Sequence, residues 1–365
     1  MNDHSLYSAL FLGVCLVACG ASPPPPAAPP APATAAAPAT ASTAPPPAAW
    51  SLQAFGLPGA VAPVSLDYLF YEPGRNRVWV PAGGTGSVAV FDVTARTFTR
   101  VEGFKTAERE AHGNKRVVGP SSGSIGAGVA YVGNRATQEV CAVDVQTLAL
   151  GQCLTLPSAP DGVQFVAATH EVWVTTPKTQ SILVLDASQA GSLQLKASIA
   201  LPGDPEGYAV DASRGLFFTN LEDKGSTLSI DLTTHRVRDT WNAGCSSDGP
   251  RGLALDSARG LLFVACTDHV QALDLNHDGA RLGQLDTGAG VDNLDYVAKT
   301  GLLYAAAGKA ARLTVAAVTA HGEFELLTQS PTAPGARNAI ADANGFAYVA
   351  DPQAARLLVL SAARN

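Results

Sequence analysis

The 365-residue sequence has few charged residues and no excess of basic ones, which restricts the partners it can bind. Charged side chains make up 15% of the chain, and 24 Lys and Arg against 31 Asp and Glu give a formal net charge of −7. A protein that binds a phosphate backbone needs a basic patch that releases counterions. The composition therefore argues against a nucleic-acid partner.

The motifs of common active sites are also missing. The sequence has no phosphate-binding loop and no EF-hand. Its four tryptophans give no support to a tryptophan-rich quinoprotein. The segment 276–279, Asn-His-Asp-Gly, has a calcium-like composition, but a hairpin turn needs the same residues for its backbone angles. We interpret it as a turn, and we predict no catalytic residue.

The N-terminal apolar run, Leu6 to Ala18, is too short to span a bilayer as a permanent helix. It ends in small residues directly before Cys19 and resembles a bacterial lipobox, in which the cysteine is acylated and becomes the new N-terminus. The resemblance implies a signal peptide over residues 1–18; an ordinary signal peptide with an incidental cysteine is the alternative. Gly20 resembles the residue that follows the cysteine in outer-membrane lipoproteins. We therefore expect a lipid-anchored protein of the bacterial envelope, in the outer membrane and facing the periplasm or the cell surface.

The segment that follows, up to Ala49, consists almost entirely of Pro, Ala, Ser and Thr. It lacks the large apolar residues that offset chain entropy, so it does not form a core. Pro-rich chain favours an extended polyproline II conformation. We predict that residues 19–49, with the lipidated Cys19, tether the domain of residues 50–365 to a membrane.

From Trp50 onward one unit of about 40–50 residues recurs, which is the period of propeller blades. Each unit contains a short aromatic strand, and there are seven of them. The aromatic residues of these strands are Trp79, Tyr131, Trp173, Phe217, Phe263, Tyr304 and Tyr348.

Alternating apolar and polar residues mark further strands around each aromatic one, with turns rich in Gly, Asp and Pro between them. Helical periodicity is nowhere sustained. Four strands per unit and seven units predict an all-β, seven-bladed β-propeller of four-stranded antiparallel blades. Two stacked β-sandwiches are the alternative. The last unit lacks an outer strand after Leu360, and Trp50 to Phe55 looks like an unpaired edge strand, so we expect these two segments to pair and close the ring.

The repeats resemble the YVTN family of β-propellers. The four-residue motif appears as Tyr131-Val132-Gly133-Asn134 and as Phe217-Phe218-Thr219-Asn220, and Pro-x-Gly lead-ins occur at Pro205-Glu206-Gly207 and Pro250-Arg251-Gly252. The resemblance implies the propeller fold and an interaction surface, but no single activity.

Four cysteines lie in the domain, and in an exported protein disulfides are the usual role. Cys141 and Cys153 flank a turn around Thr147 symmetrically, which sets them opposite each other in a hairpin. We expect the second disulfide between Cys245 and Cys266. A Cys266–His269 nucleophilic pair is the alternative, and no spacing fits a zinc site.

Alignment of the blades by their aromatic strands places charged residues at the start of most innermost strands, around the mouth of the central channel. A polar ligand site and a set of inter-blade salt bridges are the two interpretations. We call the following six residues the mouth ring: Asp67, Asp161, Glu206, Arg251, Asp292 and Arg337. Asn338 follows the last of them. Nearby loops carry a second predicted group of rim residues, Asn220, Glu222, Asp223 and Asp268, and the charged insertion Gly103 to Val117 is expected to be solvated or to flank the mouth.

We therefore expect a monomeric, non-enzymatic binding module that needs no cofactor and holds an envelope protein or a small polar ligand at the channel mouth. Its lipid anchor would be its only membrane contact. The alternative is a metal-dependent hydrolase that resembles the lactonase propellers, with a divalent cation held by Glu206, Asn220, Asp292 and Asn293. Arg251 and Arg337 in the same ring oppose a bound cation.

Overall fold

The computed structural model describes residues 50–111, 114–246 and 248–362. These residues form seven four-stranded antiparallel sheets, which confirms the predicted seven-bladed propeller and excludes the two-sandwich alternative. The predictions for residues 1–49, including the signal peptide, the lipid at Cys19 and the tether, lie outside the described residues. None of the helices in the described ranges has the length and the apolar character needed to cross a membrane.

In blades 1 to 6 the strands follow one another in sequence from the channel outward. Blade 1 consists of β2 (Phe70–Glu72), β3 (Arg77–Ala82), β4 (Ser87–Asp92) and β5 (Thr97–Val101). A separate hairpin, β6 (Ala107–Ala111) and β7 (Asn114–Val118), precedes blade 2. Blade 2 consists of β8 (Pro120–Gly126), β9 (Val129–Asn134), β10 (Glu139–Asp144) and β11 (Leu150–Thr155), and blade 3 of β12 (Val163–Val166), β13 (Glu171–Thr176), β14 (Ser181–Asp186) and β15 (Gln194–Ala200).

Blade 4 consists of β16 (Pro205–Asp211), β17 (Leu216–Leu221), β18 (Ser226–Asp231) and β19 (Val237–Asn242), and blade 5 of β20 (Pro250–Asp256), β21 (Leu261–Cys266), β22 (His269–Asp274) and β23 (Ala280–Asp286). Blade 6 consists of β24 (Val291–Val297), β25 (Leu302–Ala307), β26 (Arg312–Val318) and β27 (Phe324–Pro331). Blade 7 has β28 (Ala339–Ala341), β29 (Phe346–Asp351) and β30 (Arg356–Ala362). Single 3₁₀ turns cover Gly83–Thr85, Pro177–Thr179 and Glu222–Lys224.

The ring closes through the N-terminal strand β1 (Trp50–Gly56), which forms the outer strand of blade 7. Trp50 lies opposite Ala362 and Gly56 opposite Arg356 in an antiparallel ladder. This pairing confirms the predicted closure. It covers the edge of β30, which would otherwise expose unpaired backbone groups.

The second strand of each blade is buried on both faces because it packs against the neighbouring blades. The aromatic side chains of these strands, such as Trp79 and Trp173, are fully buried. Each of these two indoles donates a hydrogen bond of 3.0 Å to a buried carboxylate, Trp79 to Glu72 and Trp173 to Glu171. The buried polar groups are thereby satisfied inside an apolar core.

Asp residues at the ends of the third strands stabilise the turns that follow. The Oδ1 atom of Asp144 accepts hydrogen bonds from the backbone amides of Gln146 and Thr147, and Asp231 does the same for Thr233 and Thr234. Such turns let one short polar side chain take the place of a backbone acceptor. The segment 276–279 likewise lies in the turn between β22 and β23, as expected.

Both predicted disulfides are present. Cys141 and Cys153 are direct partners across β10 and β11, with Cα atoms 3.9 Å apart. Cys245 bonds Cys266 at a Cα separation of 5.2 Å. Since Cys266 is bonded to Cys245, the alternative Cys266–His269 nucleophilic pair is excluded.

Candidate functional site

All six residues of the mouth ring line one cavity of about 660 Å³, which we call the upper cavity. They converge there because the first strands of neighbouring blades lie side by side around the channel. The Pro-x-Gly lead-ins make this close approach possible: a Cβ on Gly207 would lie 2.7 Å from the Cα of Gly252, and it would also meet the carbonyl oxygen of Arg251. Only glycine leaves room for the next strand at this point.

Arg135, in the turn between β9 and β10, is the centre of the ion pairs in the upper cavity. Its Nη1 atom lies 2.6 Å from Oδ2 of Asp67, and its Nη2 atom pairs with Oδ1 of Asp161. Burial alone would lower the pKa of Arg135, but the two carboxylates outweigh that effect and raise it. Arg135 therefore joins the inner strands of blades 1 and 3 from a position in blade 2.

Of the two arginines of the mouth ring, Arg337 is the more exposed and the less firmly paired. Arg337 lies 3.4 Å from Asp292 and 3.6 Å from Asp67 and keeps 45% of its side chain exposed. Arg251 pairs at 2.8 Å with Glu222 at the rim. Inter-blade ion pairs, one of the two sequence interpretations, thus account for part of the ring.

Glu206 differs from the other acids because no basic side chain within the described ranges lies within salt-bridge distance of it. Its Oε1 atom accepts a hydrogen bond of 3.2 Å from the hydroxyl of Tyr68. Burial, followed by the nearby carboxylates of Asp161 and Asp292, raises the pKa of Glu206 well above its ordinary value. The carboxyl group is held in an environment that disfavours its charge.

The same physical causes act on two further acids of the ring. Burial raises the pKa of Asp161 to about 6, although Arg135 opposes the shift. Burial also raises the pKa of Asp292, against the effect of Arg337. A cluster of carboxyl groups with raised pKa values in a cavity is a recurrent property of functional sites.

Several buried oxygen atoms around the channel have no hydrogen-bond donor among the described residues: Ser121 Oγ, Asp161 Oδ2 and Asn338 Oδ1. Pro120 lies opposite Asn134 in blade 2 as Pro205 lies opposite Leu221 in blade 4, so Ser121 occupies the position that Glu206 has in its own blade. Ser121 is therefore the blade 2 counterpart of the mouth ring. Asn338 is 2% exposed, and its Nδ2 atom donates to Asp67 at 3.3 Å.

The hairpin β6–β7, part of the charged insertion, flanks the upper cavity with Arg109, Glu110 and Arg116. Two hydrogen bonds anchor the insertion to blade 2, from Arg109 to the carbonyl of Ala136 and from Asn134 to the carbonyl of Lys105.

The four predicted rim residues do not act as one group. Asn220 is fully buried, and its amide donates to the carbonyl of Arg251 and accepts from Thr227, so it supports the ring from below and does not line the upper cavity. Asp223 pairs with Lys224 and accepts the amide of Asp204. Glu222 reaches Arg251, whereas Asp268 lies beside His269 with 60% of its side chain exposed.

The four residues of the alternative metal site are also separated. Glu206 and Asp292 line the upper cavity, Asn220 is engaged beneath it, and Asn293 lines another cavity. Within the described residues, the close group of potential metal ligands is Glu139 with Cys141 and Cys153. These cysteines form a disulfide, so the group is not a metal site.

A second cavity of about 560 Å³, which we call the lower cavity, opens into the other half of the channel. Tyr68 lies between the two, since its ring lines the lower cavity and its hydroxyl contacts Glu206 in the upper one. Tyr68 packs on Tyr208 with ring centroids 5.7 Å apart. Both tyrosines line the lower cavity, and only the Tyr68 hydroxyl reaches a residue of the upper one.

The fold and the site define a seven-bladed β-propeller with a charged cavity at one end of its channel. No family model and no curated protein matches the chain. Among solved structures it is similar to a streptogramin B lyase (12% identity, TM-score 0.66, 86% of this chain and 97% of the other). It is also similar to Kuenenia stuttgartiensis hydrazine synthase (15%, 0.67, 84% and 97%) and to a chain of a mitotic checkpoint complex (13%, 0.66, 86% and 94%). Identities this low show the fold alone, and the resemblance to the YVTN family stays a prediction.

Sequence reasoning missed Arg135 and Tyr68. Arg135 directly follows the motif Tyr131 to Asn134, so its position relative to the aromatic strand can be derived from the sequence. It was missed because it lies in a turn, whereas the ring was predicted from residues at the starts of inner strands. Tyr68 is adjacent to Asp67. An aromatic residue directly after a charged ring position was the sequence feature that could have placed Tyr68 beside the ring.

Proposed function

We propose that the chain is a lipid-anchored envelope protein whose propeller binds a small polar ligand, or a charged side chain of an envelope protein, in the upper cavity without catalysis. The observation that carries this proposal is the convergence of charged side chains from six blades on one cavity. Its volume of about 660 Å³ lies in the range of small-molecule sites, roughly 300–1,000 Å³. The mouth ring and Arg135 alone supply four carboxyl groups and three guanidinium groups, so the cavity offers both signs of charge.

The scaffold favours binding because the side chains come from rigid elements. The mouth ring residues lie at or near the starts of inner strands, and Asn220 and Gly207 fix the backbone around Arg251. A preorganised polar site loses little conformational freedom when it takes up a ligand. The lipid anchor is supported by the sequence around Cys19, and it would hold the binding site at a membrane surface.

The test is capture from native envelopes by crosslinking, with the Cys19→Ser full-length chain as soluble bait. We expect it to retain a protein or small molecule that a Glu206→Ala, Arg251→Ala double variant loses. An Arg238→Ala, Glu325→Ala variant, changed at exposed outer strands, is the matched control. Equal capture by the ring variant and the wild type would exclude the upper cavity as the site. Release of the Cys19→Ser chain from membranes tests the anchor separately.

A further inference from the structure

The charges of the upper cavity lie in two layers. The acids at its floor are well covered: the side chains of Asp67, Asp161 and Asp292 are 9%, 14% and 11% exposed. The basic groups toward solvent are more open, with Arg251 at 25% and Arg337 at 45%. Further basic side chains from outer turns and the hairpin line the cavity: Arg109, Arg116 and Lys178. The cavity thus has an acidic floor and a basic rim.

The floor lacks hydrogen-bond donors, not acceptors. Arg135 satisfies one oxygen each of Asp67 and Asp161, and Tyr68 donates to one oxygen of Glu206. Asp161 Oδ2 remains buried without a donor among the described residues, and so does Oδ1 of Asn338, whose amide nitrogen contacts Asp67. Buried acceptors without donors each cost on the order of 1–3 kcal/mol, so a donor-rich ligand group gains by binding there.

The form of the floor favours a compact donor group. The acceptors come from different blades and therefore from different directions, and Tyr68, which packs on Tyr208 in the lower cavity, donates to Glu206. A primary ammonium group carries three donors and a positive charge on one atom. It can bond to Glu206 and to Asp161 at once, and its charge favours the ionised form of both.

The rim has the complementary property. Arg337 is held by two long contacts of 3.4 and 3.6 Å, and Arg251 has one carboxylate partner, Glu222, whose side chain is 35% exposed. Ion pairs that keep contact with solvent contribute little to stability, so both guanidinium groups are available to another anion. A planar guanidinium binds a carboxylate with two parallel hydrogen bonds.

We infer that the ligand of the upper cavity is a small zwitterion that enters amine first, with a primary ammonium group bound by Glu206 and Asp161 and a carboxylate bound by Arg251 and Arg337. This inference rests on the proposed function and names its ligand class. In a ligand with a terminal amine and a carboxylate separated by several methylene groups, the amine can reach the acidic floor while the carboxylate stays at the basic rim.

The experiment is calorimetric titration of the Cys19→Ser full-length chain at neutral pH and low salt with three matched probes: 6-aminohexanoate, hexanoate and hexylamine. We expect 6-aminohexanoate to bind at least about tenfold more tightly than either probe that lacks one charge, since a charged hydrogen bond contributes about 1.5–3 kcal/mol. Glu206→Gln should weaken 6-aminohexanoate and hexylamine about tenfold and leave hexanoate unchanged. Arg251→Gln should weaken the two carboxylates and leave hexylamine unchanged.

Glu325→Gln, on the exposed outer strand of blade 6, is the control and should bind all three probes as the wild type does. Thermal unfolding of each variant shows whether it is folded. Equal affinities for hexanoate and 6-aminohexanoate, or no binding of any amine at millimolar concentration, would overturn the inference. If those outcomes occur while capture from envelopes still depends on Glu206 and Arg251, the proposed function stands and only the amine is wrong. Calcium chloride is the last arm: calcium binding that requires Glu206, without amine binding, would replace the ammonium by a divalent cation.

Discussion

The upper and lower halves of the channel are built by the same seven inner strands but have opposite chemistry. In the upper half the first residues of these strands include four carboxylates and two arginines. In the lower half the inner strands and their lead-ins present aromatic and apolar side chains (Tyr68, Tyr208, Leu253, Leu294 and Ile340) beside polar ones such as Gln164, Asn293 and Asp295, and the pairs of basic and acidic groups seen in the upper ring do not recur among these residues. The backbone geometry of a propeller thus fixes where a side chain points and leaves its chemistry free.

The two halves also satisfy their buried charges differently. Asp295, an acid of the lower cavity, accepts hydrogen bonds of 2.8 Å from the backbone amides of Tyr296 and Ala341. The upper acids depend on side chains, chiefly on Arg135. Backbone donors are fixed by the fold, whereas side-chain donors can turn to a ligand. The difference indicates which half is suited to binding.

The largest expected effect comes from removing the arginine that joins the upper acids. Arg135→Gln leaves Asp161 without its cation and Asp67 with only the long contact to Arg337, and breaking buried pairs in this way costs about 3 kcal/mol. Urea denaturation should show this loss, whereas Arg238→Gln at an exposed position should be neutral. A loss below about 0.5 kcal/mol would mean that the upper acids do not depend on Arg135.

A smaller effect is expected from crowding the point where inner strands meet. In Gly252→Ala the new Cβ would lie 2.8 Å from the Cα of Asn293 and would also meet that residue's side-chain oxygen. Overpacking against backbone costs about 1–3 kcal/mol. Gly74→Ala is the matched control, because no atom lies within 4 Å of its added Cβ. Equal melting temperatures of the two variants would contradict the prediction, since they would mean that the inner strands of blades 5 and 6 can move apart without loss of stability.

Asp295 tests the lower half through the pH dependence of stability. Burial raises the pKa of its carboxyl to about 6, from an ordinary 3.8. Between these values the folded state binds a proton that the unfolded state has released, so stability falls as pH rises through this window and stays lower above it. Relative to Asp295→Asn, which does not titrate, the wild type should lose about 1–2 kcal/mol between about pH 4 and 7, as measured by urea denaturation at both values. If the free energies of unfolding of the wild type and Asp295→Asn differ by the same amount at both pH values, the prediction is wrong.

The smallest effect on stability is expected at the acid we assign to the ligand. Glu206→Gln replaces a carboxyl of strongly raised pKa by a neutral group of the same shape that still accepts from Tyr68. The free energy of unfolding should change by less than about 0.5 kcal/mol. A loss of stability as large as that of Arg135→Gln would give Glu206 a structural role. It would then not differ from the acids of the ring that are paired with arginine.

The repeats made most of the fold predictable. The strands that contain aromatic residues such as Trp79 and Trp173 set the spacing of the blades. That spacing alone predicts that Asp67, Glu206 and Arg251 lie on one ring, and all three line the upper cavity. The local sequence pattern is sufficient to predict these positions because each blade repeats the same order of strands. Asn220 shows the limit: the sequence predicted a rim residue, but the structure buries it against Thr227 and Arg251.

The sequence by itself determined the seven four-stranded blades, the closing strand, both disulfides and the six charged positions of the mouth ring, since all of these follow from periodicity and from the alternation of side chains along strands. Only the tertiary structure decided which of those charges are paired. That depends on Arg135, a turn residue whose direction is set by the packing of three blades and not by any local pattern. The same packing leaves Glu206 with Tyr68 as its hydrogen-bond donor and with no basic partner among the described residues.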